Sequence, residues 1–122
     1  MLKLLTVLLD EIFPPSTEEG LLRDASKTDL NRTFQPDWYK GVQFLAHYGD
    51  PLIRAAVTEN KFGGSERAAF LLSSLLERWI CSHEKASFTF IPIPLGKKRM
   101  RERGYNQVES ILDQLPVNVT VN

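Results

Sequence analysis

Five basic side chains stand within seven residues of this chain, and they are its clearest sign of chemistry. They belong to the stretch IPIPLGKKRMRERGYNQ, residues 91–107, and they are Lys97, Lys98, Arg99, Arg101 and Arg103. Glu102 is the one acid among residues 97–103, so five positive charges less one negative charge give this segment a local charge of +4. Arginine offers planar forks and lysine offers point charges to phosphate oxygens. Two interpretations are open here: a phosphate or pyrophosphate site, or a solvated basic turn.

The charge of the whole chain is balanced. Its 122 residues include 15 Lys and Arg and 15 Asp and Glu, so the formal net charge is zero. A neutral protein has no overall field that attracts nucleic acid or a membrane surface. The basic segment must therefore act locally. A small phosphate-bearing molecule is a better-supported partner than nucleic-acid backbone, and no membrane partner is expected.

Composition also bounds the class of protein. Hydrophobic residues make up 43% of the chain, which is enough for the core of one domain of common size. Cys81 is the only cysteine in the sequence, which excludes an intramolecular disulfide and a multi-cysteine zinc site. A lone thiol is typical of a reducing compartment. The apolar N-terminal run ends at Asp10 without a cleavage site, so we expect a cytoplasmic protein.

Capping signals mark two central helices. Asp50 is a capping residue and Pro51 suits a first helical position, which predicts a helix over residues 51–61. Ser65 caps a second helix, predicted over residues 66–81, and a glycine pair between the two ends the first. The residues predicted to face the core are Leu52, Ala55, Ala56 and Phe62 in the first helix, and Ala69, Leu72, Leu75, Leu76 and Trp79 in the second.

The remaining segments complete an α/β order. Helical spacing of apolar residues predicts helices over residues 2–12 and 104–115, and residues 15–37 are predicted as a polar loop or linker. The strands are predicted over residues 38–48, with a bend at Gly41, over residues 88–93, and at the terminal VNVTV. The run over residues 88–93 is almost continuously apolar, which is typical of a strand covered on both faces. We therefore expect a sheet with helical crossovers.

The predicted fold places the basic segment where ligands bind. It follows the carboxyl end of the strand over residues 88–93, and open α/β sheets bind ligands beyond such ends. It precedes a helix whose first amides attract anions, and Gly104 lets main chain approach a ligand closely. The candidate phosphate- or pyrophosphate-binding residues are Lys98, Arg99, Arg101, Arg103, Gly104, Asn106 and Gln107. Asn106 and Gln107 are predicted to cap the helix or orient the loop, and Tyr105 to pack or to contact the ligand. No catalytic residue can be assigned.

The same stretch resembles a known signature. IPIPLGKKRMRERGYNQ resembles that of the ComF-type family of phosphoribosyltransferase-like proteins, in which Pro-x-Pro-Leu is followed by basic residues and then by Arg-Gly-aromatic-Asn-Gln. The matching positions are Pro92, Pro94, Leu95, Lys98, Arg99, Arg101, Arg103, Gly104, Tyr105, Asn106 and Gln107. LLDEIFPP is similar to the family's opening helix, and YGDPLIRAAVTENKFGG is similar to a second family segment. The resemblance extends through most of the chain.

The resemblance implies a fold and a reaction. It implies a type I phosphoribosyltransferase-like sheet and transfer from phosphoribosyl diphosphate, with magnesium beside the pyrophosphate leaving group. It also implies that Lys98 and Arg103, which match the most recognisable motif positions, contact phosphate. A link to nucleotide metabolism and to DNA uptake during competence is implied in the same way.

Two family features have no counterpart in this sequence. The family's N-terminal cysteine cluster is missing from PPSTEEGLLRDASKTDLNRTF, so no metal is expected there. The acidic pair and Thr/Gly-rich turn that hold ribose phosphate in the family are also missing. We therefore expect an N-terminal helix and linker over residues 1–37 and an incomplete phosphoribosyltransferase-like domain over residues 38–122. By itself this chain is expected to bind phosphate without catalysing transfer.

A second class of function stays open at this point. A sheet with an exposed last strand can pair with another chain, so the protein is alternatively a non-catalytic interaction module. Its partner is then another copy of itself or a second chain that completes the sheet. In that class the basic segment is also able to bind nucleic-acid backbone.

Overall fold

A computed structural model describes residues 4–5, 17–83, 85–115 and 120–121. The helices whose full extent is described are α1 (Thr17–Asp24), α2 (Lys27–Arg32), α3 (Pro51–Phe62), α4 (Glu66–Cys81), α5 (Lys97–Arg103) and α6 (Gln107–Leu112). The strands are β1 (Asp37–Tyr39), β2 (Val42–Phe44), β3 (Thr89–Phe90) and β4 (Thr120–Val121). Leu4 and Leu5 are helical, and the rest of the helix predicted over residues 2–12 lies outside the described residues.

The two central helices begin and end where their caps predict. The Asp50 carboxylate accepts hydrogen bonds from the amides of Leu52 and Ile53, at 2.9 and 3.4 Å. The Ser65 hydroxyl oxygen accepts one from the Ala68 amide at 3.1 Å. Each side chain thereby satisfies main-chain donors that have no partner within the helix. The predicted bounds of α3 and α4 are confirmed, α3 to within one residue and α4 in full.

The segment predicted as a loop or linker is helical, and this prediction was wrong. Leu22 of α1, Leu30 of α2 and Ala25 between the two helices are buried in one cluster with residues of α3 and α4. Arg67 of α4 holds the end of α1, because its guanidinium donates to the main-chain oxygens of Leu22 and Ala25. Three buried apolar residues were enough to dock these polar helices. The division into residues 1–37 and 38–122 stays a prediction.

A reciprocal cap starts α2. The Asp29 carboxylate accepts from the Ser26 main-chain N–H at 2.9 Å, and the Ser26 hydroxyl oxygen accepts from the Asp29 amide at 3.3 Å. The first of these bonds favours the ionised carboxylate and lowers the pKa of Asp29 below its ordinary value. The cap explains why a helix of only six residues starts here.

The buried faces of α3 and α4 match the predicted ones only in part. Ala55 and Ala56 of α3 are buried as predicted, whereas Phe62 is 71% exposed, which corrects its assignment to the core. Ala69 and Leu75 of α4 are buried as well. The others predicted to face inward, Leu52, Leu72, Leu76 and Trp79, are half-buried. Ser73 and Ser74 of α4 are buried as well. Their hydroxyls donate to main-chain oxygens one turn earlier, which satisfies these polar groups away from water.

The predicted strand over residues 38–48 is a short antiparallel hairpin. β1 and β2 pair with Tyr39 opposite Val42 and Asp37 opposite Phe44. Lys40 and Gly41 between them both have positive φ, 49° and 78°, which suits the tight turns that join twisted strands. The bend predicted at Gly41 is therefore a full reversal of the chain.

A parallel strand pair supplies the expected helical crossover. Thr89 and Phe90 of β3 pair in parallel with β4, and α5 and α6 connect the two strands. The α/β class is confirmed at this level. The strand predicted over residues 88–93 is shorter than expected, and Ile91 and Ile93 are 74% and 78% exposed. The prediction that this run is covered on both faces was therefore wrong. The first three residues of the predicted VNVTV strand lie outside the described residues.

The segment before the last predicted helix is a helix too. α5 spans the whole basic run, so the basic residues do not form a loop. Gly104 ends α5 with φ +78°, a left-handed conformation that glycine adopts at little cost. The helix predicted over residues 104–115 is consequently the shorter α6, of which Leu112 is buried.

Candidate functional site

Two helices form a cationic groove. The end of α3 contributes Lys61 and Phe62, and α5 contributes Arg99, Glu102 and Arg103. The groove has a volume of about 380 Å³. Glu102 and Arg103 lie three and four positions after Arg99, so both neighbour Arg99 on one side of that helix. Among the described lining residues, three cations meet one carboxylate.

The helical form of α5 divides the basic residues. Lys98 and Arg101 are exposed and are not among the described residues that line the groove. Lys97 and Arg101 lie four positions apart and share a different face of α5. The structure therefore brings Arg99 and Arg103 of the predicted set together with Lys61, and leaves Lys98 and Arg101 elsewhere on the helix.

The sequence of α5 does little to stabilise this helix. Gly96 precedes it and has no side chain that could accept from its first amides. Lys97 and Lys98 stand in the first turn, where the helix dipole disfavours positive charge. Like charges also meet four positions apart, at Arg99 and Arg103. A bound anion in the groove would reduce this repulsion.

Arg103 is the most constrained of the basic side chains. Its guanidinium donates to the Gln107 side-chain oxygen at 2.6 Å and lies 5.6 Å from the centre of the Phe62 ring. The Lys61 ammonium lies 5.2 Å from the same ring centre. An exposed aromatic ring is thus flanked by two cations. Gln107 and Phe62 thereby orient the guanidinium.

Tyr105 fastens the α5–α6 junction to the end of α3. The Gly64 amide donates to the Tyr105 hydroxyl at 3.1 Å, and this hydroxyl donates to the Asn60 main-chain oxygen at 2.5 Å. The phenol therefore bridges the donor and acceptor that a continuing helix would pair directly. Tyr105 was predicted either to pack or to contact a ligand. In the structure its hydroxyl makes hydrogen bonds within the protein.

Asn106 caps α6, as predicted. It is 5% exposed, and its side-chain oxygen accepts from the Val108 amide at 2.9 Å. Its side-chain nitrogen donates to the Ile93 main-chain oxygen at 3.0 Å, which ties the segment after β3 to α6. Asn106 therefore occupies the Val108 amide, which is one of the first-turn donors that were predicted to attract an anion.

Gly104 acts through its main-chain conformation. Its amide donates to the Met100 oxygen at 2.8 Å, which closes the last turn of α5. No described atom lies within 4 Å of the position where a Cβ would stand. The sequence predicted that Gly104 allows close approach to a ligand, and the structure shows a helix end that needs positive φ.

The groove offers one carboxylate to a metal ion. That carboxylate is Glu102 among the described lining residues, and Mg²⁺ in proteins is usually bound by one or two carboxylates together with waters and phosphate oxygens. In the described part of the chain, no group of three or more His, Cys, Asp or Glu side chains stands close enough to bind a metal.

The two histidines and the cysteine lie outside the groove. The His83 Nδ1 atom lies 2.8 Å from the Trp79 main-chain oxygen, and its ring lies against the Trp79 indole with centroids 4.3 Å apart. His47 packs edge-on against Phe44. Cys81 is exposed at the end of α4. Within the described residues, no helix is both long and apolar enough to cross a bilayer.

Sequence reasoning missed half of the groove. Lys61 and Phe62 come from a segment more than thirty residues before α5 in the printed sequence. Lys-Phe ahead of the helix-ending glycines was the only signal available, and Phe62 was assigned to the core because its spacing fits the apolar stripe of α3. No known family model, curated protein or solved structure matches this chain. The resemblance to the ComF-type family therefore stays a prediction from its motif.

Proposed function

We propose that this protein binds a phosphate-bearing small molecule, of the pyrophosphate class, in the groove between the end of α3 and α5. The observation that carries the proposal is the convergence of Lys61, Arg99 and Arg103 around one groove in a chain of zero net charge. Cations so close together repel one another unless an anion lies between them. Arginine forks and a lysine ammonium match phosphate oxygens in geometry and in charge.

The arrangement of the walls favours a ligand with two phosphoryl groups. α5 presents two guanidinium groups four positions apart, and α3 presents one ammonium across the groove. A single phosphate would satisfy one wall, whereas pyrophosphate has a charged group for each. Glu102 repels an anion on one side and so restricts where it can sit.

The family resemblance supports the same ligand. Arg99 and Arg103 belong both to the motif of the ComF-type family and to the lining of the groove. We therefore propose that this chain is the pyrophosphate-binding portion of a type I phosphoribosyltransferase-like protein. The proposal covers binding of the anion and not transfer, because the described lining of the groove has Glu102 as its one acid and so no acidic pair for ribose hydroxyls.

A charge-matched pair of variants tests this site. Arg103→Ala should lower pyrophosphate affinity about tenfold, because it removes a fork from the groove. Lys98→Ala removes the same charge from the same helix but does not alter the described lining, so its affinity should change less than about twofold. Isothermal titration at low and at moderate salt measures both. Equal losses in the two variants would mean that α5 is only a solvated basic helix, and an unchanged affinity in both would also contradict the site.

A specific observation favours pairing with another chain as a second candidate function. Ile91 and Ile93 follow β3 and are largely exposed, and β3 pairs with β4 over only two residues. An extended apolar segment beside a short strand favours addition of a further strand. We propose a second copy of this chain as the partner. Sedimentation velocity should show concentration-dependent dimers that Ile91→Lys abolishes, and a monomer at every concentration would rule this out.

A further inference from the structure

Asn60 lies at the junction of the three helices around the groove. It belongs to α3 and is 3% exposed. Its side-chain nitrogen donates to the Gln107 main-chain oxygen at 3.1 Å, and its main-chain oxygen accepts from the Tyr105 hydroxyl at 2.5 Å. One residue of α3 thereby holds both the residue before the α6 cap and the first residue of α6.

The burial of Asn60 is unfavourable for folding in one respect. Its side-chain oxygen is buried and has no hydrogen-bond partner among the described residues. A buried carbonyl that loses water without gaining a donor lowers the stability of the folded state. Leucine has a similar size and no polar atoms, so it would fill this position without that cost. Packing alone therefore does not account for an asparagine here.

The hydrogen bonds of Asn60 lead directly to a groove side chain. Asn60 fixes the main chain of Gln107, and the Gln107 side-chain oxygen accepts from the Arg103 guanidinium at 2.6 Å. Lys61, which follows Asn60, lines the opposite wall. The bonds of Asn60 therefore hold two cationic walls at a set separation although their charges repel.

We propose that Asn60 is a positioning residue that sets the distance between Lys61 and Arg103, and so selects a ligand with two phosphoryl groups over inorganic phosphate. The inference rests on the proposed pyrophosphate site and adds its specificity. Asn60 does not touch the ligand. It acts through Gln107. Its side-chain carbonyl oxygen stays buried without a partner among the described residues, which lowers stability.

The test compares two asparagine-to-leucine variants. Asn60→Leu removes the link to Gln107, while Asn31→Leu is the matched control, since the Asn31 side-chain oxygen is also buried and unpaired among the described residues but belongs to α2. Titrations with sodium pyrophosphate and with inorganic phosphate give the two affinities. Thermal melts give the stability of each variant.

We expect Asn60→Leu to bind pyrophosphate about tenfold more weakly and to bind phosphate within about twofold of the parent. Asn31→Leu should leave both affinities unchanged. A residue of merely structural importance would preserve the ratio of the two affinities, even where the variant melts at a lower temperature.

Other outcomes separate the two proposals. If the parent binds neither anion, the proposed site and the role of Asn60 both fall. If the parent binds pyrophosphate and Asn60→Leu keeps the same preference, the role of Asn60 alone falls. Should Asn60→Leu not fold, Gln107→Met decides, because it removes only the acceptor of Arg103. A preference for pyrophosphate that persists in folded Gln107→Met would overturn the inference.

Discussion

α4 buries six of its sixteen residues, whereas α5, which is described over its full length, buries none of its seven. Ser65 caps α4 with a side-chain hydrogen bond, and Gly96 gives α5 none. α4 is thus defined by its own sequence and by the core, while α5 depends on its ends, on Gly104 and on the hydrogen bonds that Tyr105 and Arg103 make.

α4 therefore belongs to the part of the protein that forms the core, and α5 to the part that we propose binds pyrophosphate. Ala68, Leu71 and Leu75 of α4 belong to the core cluster, so a shift of this helix would disturb the core. The side chains of α5 can be exchanged without opening that cluster, and its charges are therefore available for a ligand.

The largest effect is expected in the core. Leu71→Ala should lower the free energy of unfolding by about 2–5 kcal/mol, because it leaves a cavity at a side chain that is fully buried. Met100→Ala in α5 should cost less than about 1 kcal/mol, since Met100 is 42% exposed and lies outside the core cluster. Urea unfolding measures both. Similar losses in the two variants would show that α5 also belongs to the core.

An intermediate effect is expected where α5 and α6 join α3. Tyr105→Phe should lower the free energy of unfolding by about 1–2 kcal/mol, because it leaves the Gly64 amide and the Asn60 main-chain oxygen without the hydroxyl. Tyr39→Phe removes a hydroxyl from the exposed hairpin and serves as the control. If the two variants unfold at the same urea concentration, the bridge contributes nothing to stability.

The smallest effect is a gain at the start of α5. Gly96→Asp should raise the free energy of unfolding by a few tenths of a kcal/mol, about 0.5 at most, because aspartate accepts from first-turn amides and complements the helix dipole. Gly96 has φ −60° and open space around its Cβ position, so the side chain fits. Gly96→Ala lacks the acceptor and should give no gain in a thermal melt. A gain with alanine as well would point to main-chain entropy instead.

The sequence predicts those elements that carry their signals locally. Asp50, Pro51 and Ser65 define helix starts by their own chemistry, and the structure confirms α3 and α4 there. Asn106 likewise caps α6 as predicted. These features need only neighbours within one turn, so they are visible without any knowledge of the fold.

Elements that depend on distant partners were not predictable in this way. The sequence over α1 and α2 is mostly polar, which is why it was predicted to be a linker. Its buried residues are Leu22, Ala25 and Leu30, and the residues that bury them come later in the chain. α5 looks like a loop because its like charges disfavour a helix. The second wall of the groove, at Lys61, becomes visible only when Tyr105 joins the end of α3 to α5 and α6.

The bridge at Tyr105 also makes one amide a reporter of docking. The Gly64 N–H lies at the surface, beyond the end of α3, and its partner in the described structure is a hydroxyl from a residue 41 positions later. Local opening that separates α6 from α3 would leave this amide to water while the bonds inside α3 stay closed. Hydrogen exchange at Gly64 therefore measures the docking of the binding segment separately from the unfolding of the helical core.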